Sequence, residues 1–257
     1  MAGSSNSAPG TWQDLFSPEW GEVTHLQEIM KRFTRLALAK PNDPATHLMS
    51  LADTLGGLVA LKGAQEARAA AEPLVPFCEP ALAQAGRAFQ KRDPAHFALQ
   101  VLSFVNAAEE CGAVQGMVEA SPAKAWLEAI AKLPRKQDDR LHYRCGLVAL
   151  CLGAPELAAT LVGGGKLPAG SFTPGEQFGF NVQGFIRYLA TAMKEQAPAD
   201  EVRPAWRSFV EGFPKNKSAG QVTWSDLLWA ARAFYTRIEQ LPVARVGEAL
   251  HPLVKPA

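Results

Sequence analysis

Three stretches of the chain carry residue types that could do chemistry. The first, LVGGGKLPAG at 161–170, places glycines ahead of Lys166 in the manner of a loop that cradles a nucleotide phosphate. Such a loop requires G-x-x-x-x-G-K followed by Ser or Thr, with a strand before it and a helix after it. If Gly165 and Lys166 are the G-K pair, the first glycine position is Thr160 and the magnesium-binding hydroxyl position is Leu167. Pro168 also bars the helix that the motif needs. Gly163 to Gly165 are therefore expected to end a helix, because glycine accepts positive φ, with Lys166 beside the exposed carbonyls.

The second stretch, DDRLHYRCGLVALC, sets His142 and Cys145 three residues apart on one helical face, behind Asp138 and Asp139. A structural zinc site needs four ligands and a catalytic one usually three with an open position, and no second pair stands at ligand spacing. A buried cysteine and a half-exposed histidine on a helix are expected. His25, His47, His96 and His251 stand alone, without the flanking glutamates of a zinc-protease helix. The third candidate is paired carboxylates, Glu109-Glu110 and Asp138-Asp139. Neighbours on a helix point about 100° apart, so neither pair can share one substrate, and both read as solvated helix ends. No nucleophile elbow and no dinucleotide fingerprint is present. No catalytic residue, metal or cofactor is expected, and the chain does not read as an enzyme.

The elements that would position any site are helices. Ser17-Pro18, Asp43-Pro44, Asp93-Pro94, Ser121-Pro122 and Thr173-Pro174 each put an oxygen-bearing side chain at an N-cap and proline at the first helical position. Thr173 with Glu176, and Thr223 with Asp226, have capping-box spacing. After Asp43, Leu48, Leu51, Ala52, Leu55, Val59 and Ala60 recur at steps of three and four; after Asp93, Phe97, Val101, Phe104, Val105 and Ala108 do the same. Further helices are expected at about 18–39, 74–92, 122–132, 138–152, 155–162, 174–196, 203–212, 224–240 and 243–250. No alternating β-branched run is found.

The fold class is all-α, with about ten to eleven helices in antiparallel hairpins. They would form an irregular bundle or a short helical-repeat stack, since the helix starts fall near multiples of about 26 residues without a shared motif. Segments 163–173 and 213–222 read as surface connections inside one domain over 13–257, preceded by a flexible tail over 1–12.

Composition narrows the function class. The chain has 257 residues, 47% hydrophobic, with 26 Lys and Arg against 25 Asp and Glu. It can bury a sizeable core and has no global field for nucleic acid or an anionic membrane. No apolar run approaches the roughly 18 residues of a membrane span. MAGSSNSAPG lacks the basic and apolar regions of a signal peptide, and Cys78, Cys111, Cys145 and Cys151 are spaced as buried thiols, so a cytoplasmic location is expected.

Recognition falls to aromatics and loops. Trp12, Phe16 and Trp20 form a stripe suited to docking the N-terminus on the body, and Trp224, Trp229 and Phe234 an apolar core face. SFTPGEQFGFNVQGFIRYL is odder, because Gly179 and Gly184 interrupt a good helix where alanine costs less. Phe172, Glu176, Phe178 and Phe180 there, with Lys215 and Lys217 in the later loop, are the candidate partner-binding residues.

The order RCGLVALCLGAPELAATLVGG, a proline-rich loop, FGFNVQGFIRYLATAM, a short Trp-bearing helix and WSDLLWAARAFYTRI resembles, over roughly 90–250, the mostly helical immunity proteins found beside bacterial polymorphic toxins. The resemblance lies in layout and implies a cytoplasmic protein that binds a cognate toxin domain and blocks it, without catalysis. A helical-repeat adaptor and a helical enzyme with a dispersed site are the alternatives.

Overall fold

Helix α2, Pro44–Lys62, is apolar nearly all the way round and is buried on nearly every side. The computed structural model describes residues 22–40, 42–88, 94–134, 140–163, 165–176, 178, 181–218 and 222–254. Asp43 caps α2, its Oδ1 accepting from Thr46 N at 3.4 Å, with Pro44 at the first helical position. Around α2 pack α1 (Glu22–Ala39), α3 (Ala64–Ala71), α4 (Val75–Ala88) and α5 (Pro94–Glu110).

The short α6 (Met117–Ala120) and α7 (Ala123–Ile130) lead to a second group: α8 (Arg140–Cys151), α9 (Pro155–Leu161), α10 (Val182–Glu195) and α11 (Ala199–Ser218). Helix α12 (Trp224–Ala233) continues as a π-helical segment, Phe234–Ile238, before α13 (Val246–Val254). No strand occurs among the described residues, and no helix there is long and apolar enough to cross a membrane. The fold is all-α.

The two groups are joined by α12, which touches α2, α5 and α8 at once. In a linear repeat stack each unit meets only its neighbours. Here α12 returns to α2 across well over a hundred residues of chain, so the helices close round a common core. Trp224, Trp229, Phe234 and Trp206 are all fully buried in it. Phe185 stacks on Phe209 with ring centres 4.2 Å apart, and Trp206 on Phe234 at 5.1 Å.

Local signals were kept where nothing competed with them. The Thr223–Asp226 capping box starts α12, and Gly163, at φ 81°, ends the α9 helix in keeping with its glycine run. Ser121 and Pro122 precede α7, with Ser121 Oγ accepting from Ala123 N at 3.4 Å. Residues 1–21, Asp93, Asp138 and Asp139 lie outside the described residues, and with them the Ser17-Pro18 start and the Trp12, Phe16, Trp20 stripe.

Three expectations are corrected. The helix expected at 174–196 begins only at Val182: Pro174 and Gly175 form a turn, and Asn181 is the cap, its Oδ1 accepting from Gly184 N at 2.7 Å. A Cβ on Gly184 would stand 2.6 Å from Asn181 Nδ2, so this glycine makes room for the cap. The helix expected at 203–212 runs from Ala199 to Ser218 and includes most of the supposed loop. Pro214 costs about 3 kcal/mol in a helix interior, but Phe209 and Phe213 are buried on the same helix and hold it. Finally, the structure adds α3 and α6, two short helices whose sequences carry no start signal.

Candidate functional site

Helix α5 carries His96 and Gln100 near its start, and its buried polar residues, Ser103, Asn106, Glu109 and Glu110, fall at steps of three and four along one side. Opposite them α12 presents Trp229 and Arg232, also three apart. The two rows meet in a polar seam through the core. Trp229 Nε1 donates to Ser103 Oγ at 2.9 Å, and that hydroxyl donates to Leu99 O at 2.8 Å.

One turn further, Arg232 is the centre of a cluster. Its Nη1 donates to Glu109 Oε2 at 2.6 Å and to Asn106 Oδ1 at 2.9 Å, and its Nη2 to Glu119 Oε1 at 2.5 Å. Asn106 Nδ2 donates to Glu110 Oε1 at 2.7 Å. Arg232 and Glu110 are 0% exposed and Glu109 2%. The expectation that Glu109 and Glu110 are solvated ends is therefore wrong. Both lie under α12 because α5 ends inside the protein and not at its surface.

Burial pushes the Glu110 carboxyl well above its ordinary 4.5, outweighing the Arg232 charge and the Asn106 hydrogen bond that favour ionisation. Glu110 Oε2 and Arg232 Nε have no hydrogen-bond partner among the described residues. Glu109 has full use for both oxygens: Oε2 meets Arg232, and Oε1 accepts from Met117 N and from Val118 N, the latter at 3.0 Å. Burial raises Glu119, but the hydrogen bond and charge of Arg232 together hold it below its usual value.

The cluster acts as a brace. Glu109 grips the first N–H groups of α6 and Arg232 grips Glu119 at its other end, so a four-residue helix that could not hold itself is pinned from beneath. Nearby, Arg237 Nε donates to Cys151 O at 2.8 Å and satisfies the end of α8. Burial pushes the Cys151 thiol up to about 12, so it is no nucleophile at neutral pH. Its Sγ donates to Trp229 O at 3.1 Å.

The outer side of α6 faces open space. Leu82 and Ala83 of α4, Met117 and Ala120 of α6, and Pro122 and Trp126 beside and on α7 line a groove of about 610 Å³, with Glu79 as its one charged lining residue among those described. A second cleft, about 500 Å³, lies between α1 and α3, with Met30, Leu58 and Ala70 on its walls and Lys31, Arg35 and Glu66 among its charged members.

The residues nominated from sequence do not form one surface. Phe172 packs on Tyr188 at 5.2 Å, and Phe178 lies 5.0 Å from Tyr188 and 5.9 Å from Phe185, with its N–H donating to Ser208 Oγ at 3.2 Å. These contacts fasten the loop ahead of α10 to the core. Glu176 is exposed on that loop. Phe180 and the Lys215 side chain lie outside what the structure describes. Lys217 sits on the last turn of α11 with Nζ 5.2 Å from the Trp224 ring centre.

His142 is 2% exposed and not half-exposed as expected, because α8 is covered by α9, α10 and α12; Cys145 is buried as expected. Among the described residues no three metal-binding side chains converge. The signal that sequence reasoning missed was the Ser103, Asn106, Glu110 row inside an apolar helix, which marks a polar seam. Comparison with family models, with curated proteins and with solved structures finds no match for this chain.

Proposed function

We propose that this protein is an immunity protein: a cytoplasmic, non-catalytic binding module that neutralises a cognate bacterial toxin domain by covering it. The observation that supports this reading is the direction in which the buried charge is used. Glu109, Arg232 and Glu119 turn toward one another and toward helix N–H groups, and what they hold in place is a piece of surface, α6, beside an open apolar groove. A catalytic carboxylate must instead reach a substrate. Charges enclosed in this way supply rigidity, and a rigid apolar surface is what binding by complementarity requires.

The layout shared with helical immunity proteins supports the class of partner. Inhibition would come from a helical face seated over the toxin's active site, with a few buried anchors supplying most of the affinity. The test is to sequence the neighbouring genes and co-express this protein with any toxin-like product they encode. Cells carrying both should grow and the two proteins should co-purify. Continued killing, or purification of the two apart, would sink the reading.

A further inference from the structure

We propose that the groove between α4, α6 and α7 docks a basic amphipathic segment of the partner, with an aromatic or branched apolar side chain as anchor and a Lys or Arg beside it. The inference rests on the binding reading above and adds the place and the chemistry. Three observations carry it: shape, charge and preorganisation.

The groove, about 610 Å³, has space for a bulky anchor and its flanking turn. Its walls are apolar, with Leu82 of α4, Met117 of α6 and Trp126 of α7 among the lining side chains. Gly86 brings α4 close to α7, because a Cβ there would meet Trp126 Cζ2 at 3.3 Å.

The one charged lining residue among those described is acidic. Glu79 on α4 is exposed and, among the described residues, makes neither an ion pair nor a hydrogen bond. Lys124 of α7 is exposed and is not part of the lining. An approaching Lys or Arg therefore finds the Glu79 side chain, unpaired among the described residues, beside an apolar floor, and such complementarity steers a basic partner.

The third observation is the brace itself. Glu109 and Arg232 are desolvated where they hold α6, although an apolar core of the same volume would often be as stable or more so. What such a cluster adds is a fixed position for Met117 and Ala120, and a preformed wall lowers the ordering cost of binding.

The test uses the full-length protein and a displayed library of random short peptides. The enriched peptides should carry an aromatic or branched apolar residue with Lys or Arg within one turn. Their affinity should fall about tenfold or more in Glu79→Lys and in Ala83→Gln, which fills the groove from an exposed helical position, and stay unchanged in Glu66→Lys at the other cleft. Thermal melts of each variant check that the fold is intact. Enrichment of peptides without basic residues, binding indifferent to both groove substitutions, or no enrichment at all would overturn the proposal. So would a homodimer dissolved by Ala83→Gln, which would give the groove to a second copy of this chain. Toxin neutralisation separates the two readings. If the wild type protects and the groove variants protect equally, the groove is wrong and the immunity reading stands; if the wild type fails to protect, the immunity reading falls and the peptide result still decides the groove.

Discussion

Glu110 is the residue whose chemistry departs furthest from its ordinary behaviour. It is buried completely, one oxygen accepts from Asn106, the other has no partner among the described residues, and burial pushes its carboxyl well above the ordinary 4.5. For an acid whose folded value is raised, the stability it contributes is complete below the unfolded value and is lost as pH rises through the folded value. The protein should therefore lose stability on this group's account as pH climbs above its ordinary 4.5. Glu110→Gln keeps an acceptor for Asn106 and cannot ionise. Urea denaturation across a pH series should show a flatter profile for the variant, and equal or greater stability at pH 8. A variant that tracks the wild-type slope at every pH would mean that Glu110 is not the group responsible.

At the level of the helix, α10 illustrates how a cap and a glycine work as a pair. Asn181 accepts from Gly184 N, and the space for its side chain exists because residue 184 has no Cβ. Ordinary helix propensity says that Gly→Ala in a helix gains about 1 kcal/mol. Gly184→Ala should do the reverse, because the new methyl displaces the Asn181 side chain and removes a cap of about 1 kcal/mol. A lowered melting temperature for Gly184→Ala, no further lowered when Asn181→Ala is added, is the expected pattern. A stabilised Gly184→Ala would show that the cap tolerates the methyl.

The whole molecule depends on α12 as the member common to both helix groups. Its capping box is extended by Arg144 of α8, whose Nε donates to Asp226 Oδ1 at 2.8 Å, while Arg232 reaches α5 and α6 further along. Removing one partner of a buried charge cluster costs about 3–5 kcal/mol, because the remaining charges are stranded. Arg232→Met strands Glu109 and frees Glu119, and should destabilise by that amount. The loss should fall on one cooperative transition, since α12 contacts α2, α5 and α8 together. Coincident fluorescence and far-UV circular dichroism melts, shifted down as one, are expected; separate transitions for the two helix groups would contradict the role given to α12.

Much of the fold could be read along the chain because helix starts are local chemistry. Asp43 with Pro44, Thr223 with Asp226 and the Gly163 terminus need only their near neighbours, and each stands where its residues indicated. The apolar rows of α2 and α5 likewise identified their buried sides. Tertiary packing decided the rest. Thr173-Pro174 has the same local form as Asp43-Pro44, yet the phenylalanines after it pack on Tyr188 and Phe185 as a loop, and the helix waits for Asn181. Pro214 reads as a break until Phe209 and Phe213 are seen buried around it. The same holds for Glu109 and Glu110. Two adjacent acids at a helix end look solvated in any one-dimensional reading, and only an arginine 123 residues away, carried in by α12, makes their burial tolerable. Local hydrogen bonding is short-ranged and legible in order; desolvation depends on what the folded chain lays on top.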